Sequence, residues 1–359
     1  MRAIIAALLI TLGVQASAAP ADDQGRVPDG FFRLRSAVML KGPAPDWDYL
    51  AFDGARQHLF IARRDAGLWV FDTGSQRLIR RIANTAGAGA ALLVPALNRG
   101  YSTNEDGSTT VFNLATLATI TRIKFAADAD AASYDPVTGR IAFVSGDSRT
   151  LTLIDARSLK ITARITLEAH KADASAADGT GAILLNERDR DMVARFDATT
   201  GRMTAEWPTT GCSQPTGMAV DTQSHRAFVG CRGAKPVLLV MNSDTGAIVA
   251  RMDLGRGNDG VVYDPLRHRI LTTNGVDGNL IIFHQDDADQ YRMEQAITTR
   301  PNARTIAYDA ARQRVFTVTA EGVVDPARPV NTGPATFYPN AYYDESFVVL
   351  TYAPAKARR

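Results

Sequence analysis

Val262-Tyr263-Asp264-Pro265, then Ile270-Leu271-Thr272-Thr273, then Ile281-Ile282-Phe283, sets out the module that decides the fold. A short apolar strand ends at an Asp, a polar turn follows, and two more strands come after it. The chain repeats this. Ala51-Phe52-Asp53 leads to Leu59-Phe60-Ile61-Ala62 and Trp69-Val70-Phe71-Asp72; Ser133-Tyr134-Asp135-Pro136 leads to Ile141-Ala142-Phe143-Val144 and Leu153-Ile154-Asp155. Ala219-Val220-Asp221 leads to Ala227-Phe228-Val229 and Leu239-Val240-Met241-Asn242, Asp178 and Asp309 open two further copies, and Pro95 holds the anchor position of a degenerate one. The anchors 53, 95, 135, 178, 221, 264 and 309 are spaced by about 43 residues, the length of one four-stranded propeller blade.

Working outward from the anchors, each strand is short, alternating and bounded by turn pairs such as Thr73-Gly74, Thr200-Gly201 and Thr245-Gly246. No helix-length window holds a sustained 3.6-residue apolar pattern. The fold class is therefore all-β, a seven-bladed β-propeller. Its last copy, ending in the strand at 346–352, lacks an outer strand. Phe32-Arg33-Leu34-Arg35-Ser36-Ala37-Val38, before the first anchor, is a spare one. Pairing the two satisfies an exposed edge and closes the ring, which makes residues 19–359 a single domain with a core at 32–352.

Ahead of that domain, residues 3–14 are apolar, follow the positive start Met1-Arg2, and lead to the small-residue box Ala16-Ser17-Ala18. This reads as a signal peptide, residues 1–18, with the mature protein beginning at Ala19 in the periplasm or outside the cell. The run is too short to span a bilayer, and no later stretch approaches transmembrane length. With 40 basic and 38 acidic residues the net charge is +2, which argues against a nucleic-acid partner. The 45% hydrophobic share excludes a disordered chain, and two cysteines exclude a disulfide scaffold or a four-thiolate zinc site. In an oxidising compartment Cys212, in the loop entering the fifth inner strand, and Cys231, ending the next strand, are expected to reach the same edge and form a disulfide.

At this point the chain resembles the YncE-like, YVTN-repeat family of exported bacterial seven-bladed β-propellers. The tetrapeptide stands as Tyr101-Ser102-Thr103-Asn104 and, degenerately, as Leu271-Thr272-Thr273-Asn274. Trp47-Asp48-Tyr49-Leu50, Pro215-Thr216-Gly217-Met218-Ala219, Phe228-Val229-Gly230-Cys231-Arg232 and Ala303-Arg304-Thr305 extend the resemblance over residues 32–352. It implies the fold and export, and no single activity.

Five residues before each anchor, at the top of each inner strand, stand Asp48, Ala90, Asp130, Asp173, Thr216, Asp259 and Arg304. Ligand sites of propellers usually lie on this face. Asp48, Asp130, Asp173, Thr216, Asp259 and Arg304 are therefore the candidate ligand-binding residues of the channel mouth. The pattern equally fits Asp side chains accepting from neighbouring loop amides. Arg304 falls between Asp259 and Asp48 in blade order, so those three would neutralise one another. Asp130 and Asp173 sit on adjacent blades without a ring arginine between them, and Lys171 is the nearby cation in sequence. This leaves Asp130 and Asp173 as candidate ligands of a divalent cation such as Ca²⁺.

Other polar groups point less to chemistry. His58, His225 and His268 recur four or five residues after an anchor, which suits a turn, while His170 and His284 stand apart. No H-E-x-x-H, G-x-S-x-G or P-loop pattern exists, and Gly87 and Gly89 sit in a loop with no helix after it. The loops between second and third strands carry Arg63-Arg64, Asn104-Glu105, Asn186-Glu187-Arg188, Arg232, Asn274 and Glu321, a mixed set that suits a solvated face. The 321–345 loop is unusually long and rich in Pro and Tyr, fitting either a lid or a mobile segment. The reading is an exported, monomeric, non-enzymatic propeller binding a small molecule or a partner protein at the top of its channel. The alternative is a metal-assisted, lactonase-like hydrolase, although lactonase propellers use Glu and Asn beside Asp, and this ring has no Glu.

Overall fold

The computed structural model describes Val27 and residues 30–43, 46–330, 334–336 and 338–355; the expected signal peptide, residues 1–18, lies outside them. Its seven four-stranded antiparallel sheets are the blades of a propeller. Blade 3 shows the pattern, with strands Ala129–Asp135, Arg140–Ser145, Thr150–Asp155 and Ile161–Thr166 from the channel outward. The inner strands of successive blades are neighbours, and the ring closes where Ala307–Asp309 of blade 7 meets Leu50–Asp53 of blade 1. Among the described residues the helical structure is a single 3₁₀ turn, Pro95–Leu97, and no helix is long and apolar enough to cross a membrane.

Burial explains the shape of the repeat. A second strand such as Arg140–Ser145 is covered on both faces by the adjoining blades, so everything after its first residue is buried. Those strands consequently read as unbroken apolar runs. Outer strands such as Ile161–Thr166 alternate between half-buried and exposed, because one face meets solvent. Gly100 shows how tight the blade contacts are. A Cβ there would stand 2.2 Å from the Phe112 ring, which packs against Phe60 of blade 1 at 5.4 Å between centroids.

The recurrent Asp is a turn-former. Asp53 Oδ1 accepts the amides of Ala55 and Arg56 at 3.0 and 3.2 Å. Asp178 accepts that of Thr180 at 2.8 Å and Asp264 that of Leu266 at 3.0 Å. Each carboxylate thereby satisfies amides that the hairpin leaves open. In blades 1, 5, 6 and 7 the fourth position beyond the anchor adopts a left-handed conformation, with φ of 60° at Gln57, 55° at His225, 50° at His268 and 51° at Gln313. His225 and His268 are thus turn residues, a conformation that His tolerates better than most. Blade 2 substitutes its 3₁₀ turn, after which Asn98 takes up φ 51°.

Blade 7 is built from both ends of the described chain. From outside inward its strands are Phe32–Met39, Val348–Pro354, Arg314–Thr319 and Ala307–Asp309. Val38 stands opposite Val349, and Phe32 opposite Pro354. The buried Phe32 is fixed further by its amide, which donates to Gln295 Oε1 of blade 6 at 2.8 Å.

Cys212 and Cys231 are joined as a disulfide, their Cα atoms 5.4 Å apart, and both are buried. It ties the loop entering blade 5 to the end of its second strand, Arg226–Cys231. The closed loop of about 20 residues gives roughly 3 kcal/mol in the chain-entropy account. The paired substitution Cys212→Ser/Cys231→Ser is expected to lower the unfolding free energy by that amount, with a lower denaturation midpoint, and reductant to do the same to the parent protein. Parent and variant unfolding at one midpoint would show that the bridge adds nothing.

Candidate functional site

The tops of the inner strands and described residues of the 321–345 loop line a cavity of about 650 Å³. Asp48, Asp130, Asp173, Asp259 and Arg304 all line it, from five different blades. Thr216 is set back from the wall, buried, with its hydroxyl donating to the Gln214 carbonyl at 3.0 Å. Ala90 lines a smaller cavity of about 190 Å³ in the channel itself.

Arginines from the loops between second and third strands reach over the ring. Arg64 pairs with Asp48 and lies 3.3 Å from Asp130 and 3.4 Å from Glu105. Arg188 stands 3.6 Å from Asp173, and Arg232 pairs with Asp259. Asp130 and Asp173 each therefore have a guanidinium beside them, while Lys171 pairs directly with Asp147 at 3.2 Å and acts on Asp130 as a further positive charge. Arg304 meets Asp259 at 3.1 Å, as its place in the ring suggested. It also pairs with Asp46 at 3.1 Å and donates to the Trp47 carbonyl, while Asp48 takes its direct ion pair from Arg64 and feels Arg304 as a more distant charge. Among the described residues no group of three or more His, Cys, Asp or Glu side chains gathers as a metal ion would need.

Tyr49 is the residue that the spacing of charges passes over. It lines both cavities, and its hydroxyl donates to Asp173 Oδ1 at 2.7 Å, joining blade 1 to blade 4 across the channel. A signal for it does exist in the sequence. Four residues before the anchors the other blades carry Ala91, Ala131, Ala174, Gly217, Gly260 and Thr305. Small side chains at that level leave room for one large ring, and blade 1 supplies it.

Burial sets the electrostatics of the mouth. Desolvation, together with the charges of Asp130 and Asp259, pushes the Asp173 carboxyl up to about 7, against the opposing pull of Arg188 and Tyr49. Asp48 is pushed well above the carboxylate range, first by burial and then by Asp130. Asp130 is raised by burial too, although Arg64 opposes it. For Arg64, burial disfavours the charge, but Asp48, Asp130 and Glu105 outweigh it and hold the guanidinium protonated. The mouth therefore sets guanidinium groups against three carboxyls, Asp48, Asp130 and Asp173, whose charged form burial disfavours.

The described residues of the 321–345 loop form the roof. Arg328, Tyr338, Pro339 and Tyr342 line the cavity. A two-stranded pair, Gly322–Val323 with Ala341–Tyr342, draws the loop's ends together. Asn340 knits its middle: Nδ2 donates to the carbonyls of Asp325 at 2.9 Å and Pro329 at 3.1 Å, and Oδ1 accepts the Asp325 amide at 2.7 Å. Tyr342 packs on Trp47 of blade 1, 4.8 Å between centroids.

Comparisons with known proteins extend this no further than the fold. A chain in the crystal structure of the Mitotic Checkpoint Complex superposes with a TM-score of 0.68 at 14% identity, over 87% of this chain and 95% of that one. A chain of Kuenenia stuttgartiensis hydrazine synthase does so with a TM-score of 0.66 at 13% identity, over 77% and 94%. No family model matches the sequence, and no curated protein does.

Proposed function

We propose that this chain is an exported, non-enzymatic propeller of the YVTN-repeat kind, one domain that holds a small ligand or a partner protein at the top of its channel. The observation that carries the reading is the roofed mouth: a cavity of about 650 Å³ with polar groups converging from several blades beneath a folded loop. Concave, largely preformed spaces of this size are where ligands bind. Tyr49 and Asp173 meet across its floor.

Family membership is supported by the placement of the two tetrapeptides. Tyr101-Ser102-Thr103-Asn104 ends the second strand Arg99–Asn104 of blade 2, and Leu271-Thr272-Thr273-Asn274 ends Arg269–Asn274 of blade 6. In both, the terminal Asn bridges its top hairpin, Asn104 Nδ2 donating to Ser108 Oγ at 3.0 Å and Asn274 Nδ2 to Asn279 Oδ1 at 2.7 Å. The disulfide and the Ala16-Ser17-Ala18 box both suit export to an oxidising compartment.

The test is a thermal-shift screen of small polar metabolites against the parent protein and Tyr338→Ala, which removes a roof side chain. Ligands that raise the parent's Tm are expected to bind the variant about tenfold more weakly, the usual cost of truncating a central aromatic contact. Equal affinity for both proteins would move the site away from the mouth.

A further inference from the structure

Beside the mouth lies a second cavity of about 740 Å³, continuous with the first through Arg188, Arg232 and Pro334, which line both. Among the described residues its charged lining is of one sign: Arg188, Arg232 and Arg256 line it, no carboxylate does, and Gln214 is beside them. The arginines come from three consecutive blades. Arg188 follows the second strand of blade 4, Arg232 follows that of blade 5, and Arg256 precedes the inner strand Asn258–Asp264 of blade 6.

Each guanidinium is braced from outside this groove. Arg188 rests 3.6 Å from Asp173 and Arg232 pairs with Asp259, both carboxylates lying in the mouth. Arg256 contacts Asp277 Oδ1 through Nε at 2.8 Å and Nη2 at 2.7 Å, while its amide donates to Asp277 Oδ2 at 2.8 Å. A guanidinium has five N–H donors in a rigid fork, and these contacts engage at most two on each. Bracing removes rotamer entropy before a ligand arrives, and the three residues line a concave space that concentrates their field. Planar forks of this kind match carboxylate and phosphate oxygens in a way that lysine does not.

We infer that the groove formed by Arg188, Arg232 and Arg256 binds a small molecule carrying two or more oxyanion groups, carboxylate or phosphate, with any further part of the ligand extending into the mouth. This rests on the reading of the top face as a ligand site and gives that ligand its chemical class. Two charged ends suit three cations spread over three blades better than one end would.

Citrate and pyrophosphate serve as probes, with the cation putrescine as control, in titration calorimetry on the parent protein, Arg256→Gln, Arg188→Gln/Arg256→Gln and Tyr338→Ala. At least one anion is expected to bind the parent protein, and affinity is expected to fall as salt rises; the tighter anion identifies the oxyanion. Loss of one charged donor set should weaken binding about tenfold and loss of two about a hundredfold. The exposed Arg256→Gln should melt as the parent protein does, so a fold defect cannot mimic the result. No binding of either anion at 5 mM, equal binding of putrescine, or parental affinity in the double variant would each overturn the assignment. If Tyr338→Ala alone weakens the anion, the mouth reading stands and the groove fails. If only the arginine variants weaken it, the groove stands without the mouth.

Discussion

A chain lacking residues 30–40 will not fold cooperatively. That segment is the outer strand of blade 7, and it covers Val348–Pro354, which would otherwise offer a full row of unpaired amides and carbonyls. Its removal also exposes the pocket that buries Phe32 and deprives Gln295 of the amide it accepts. Burying one Phe is worth about 2–3 kcal/mol, and cross-strand pairs add a few tenths to 1 kcal/mol each. The total is on the order of 5 kcal/mol, comparable with the whole stability of an ordinary domain. Circular dichroism melting should lose its sigmoidal transition, and size-exclusion chromatography should show soluble aggregates formed through the open edge. A truncated chain that remains monomeric and melts within about 2 °C of the parent would mean the ring does not depend on this strand, since a loss of even 1 kcal/mol moves Tm by degrees.

Asp173→Asn should stabilise the protein in alkaline buffer and have little effect in acid. Asp173 faces Asp130, Asp259, Arg188 and Tyr49, and its carboxyl is raised to about 7 from an ordinary 3.8. Its folded-state proton is thus held more tightly than the unfolded chain's. The stability that this proton confers is complete below about pH 4 and is lost as pH rises through 7. Two pH units of that window lie between pH 5 and 7, so the parent protein should lose roughly 3 kcal/mol there on this account. Asparagine has no proton to lose and can still accept from Tyr49. The variant's advantage should therefore be small below pH 4 and roughly 3 kcal/mol larger at pH 8 than at pH 5 by urea denaturation. An advantage that does not change with pH would show Asp173 ionised throughout, held as a carboxylate by Arg188 and Tyr49.

The fold was legible because the turn chemistry repeats in the letters themselves. An Asp that accepts its own hairpin's amides through its side chain is a local signal, and its recurrence at 53, 135, 178, 221, 264 and 309 marks six of the seven blades. The spare strand was legible as well, since an unpaired edge needs a partner. Partners within the mouth were not. Arg63 and Arg64 are adjacent, yet Arg64 crosses to Asp130 of blade 3 while Arg63 is buried between Trp69 and Phe347, 4.3 and 3.6 Å from their centroids. Which neighbour turns inward depends on the packing of blades 1 and 7, not on local spacing. For the same reason Lys171 was the nearest cation to Asp173 in sequence, and Arg188 is the nearest in space.

The closing strand also sets the order in which the molecule can assemble. Most pairings join strands adjacent in sequence, so hairpins form over short loops and cost little closure entropy. Arg35 bonds instead to the Pro354 carbonyl, 319 positions away. Six blades can mature while the chain is still emerging, whereas the seventh waits for residues 348–354 to arrive and find a strand made at the outset. Ring closure is thus the slow, long-range step, and until it happens the first strand travels unpaired.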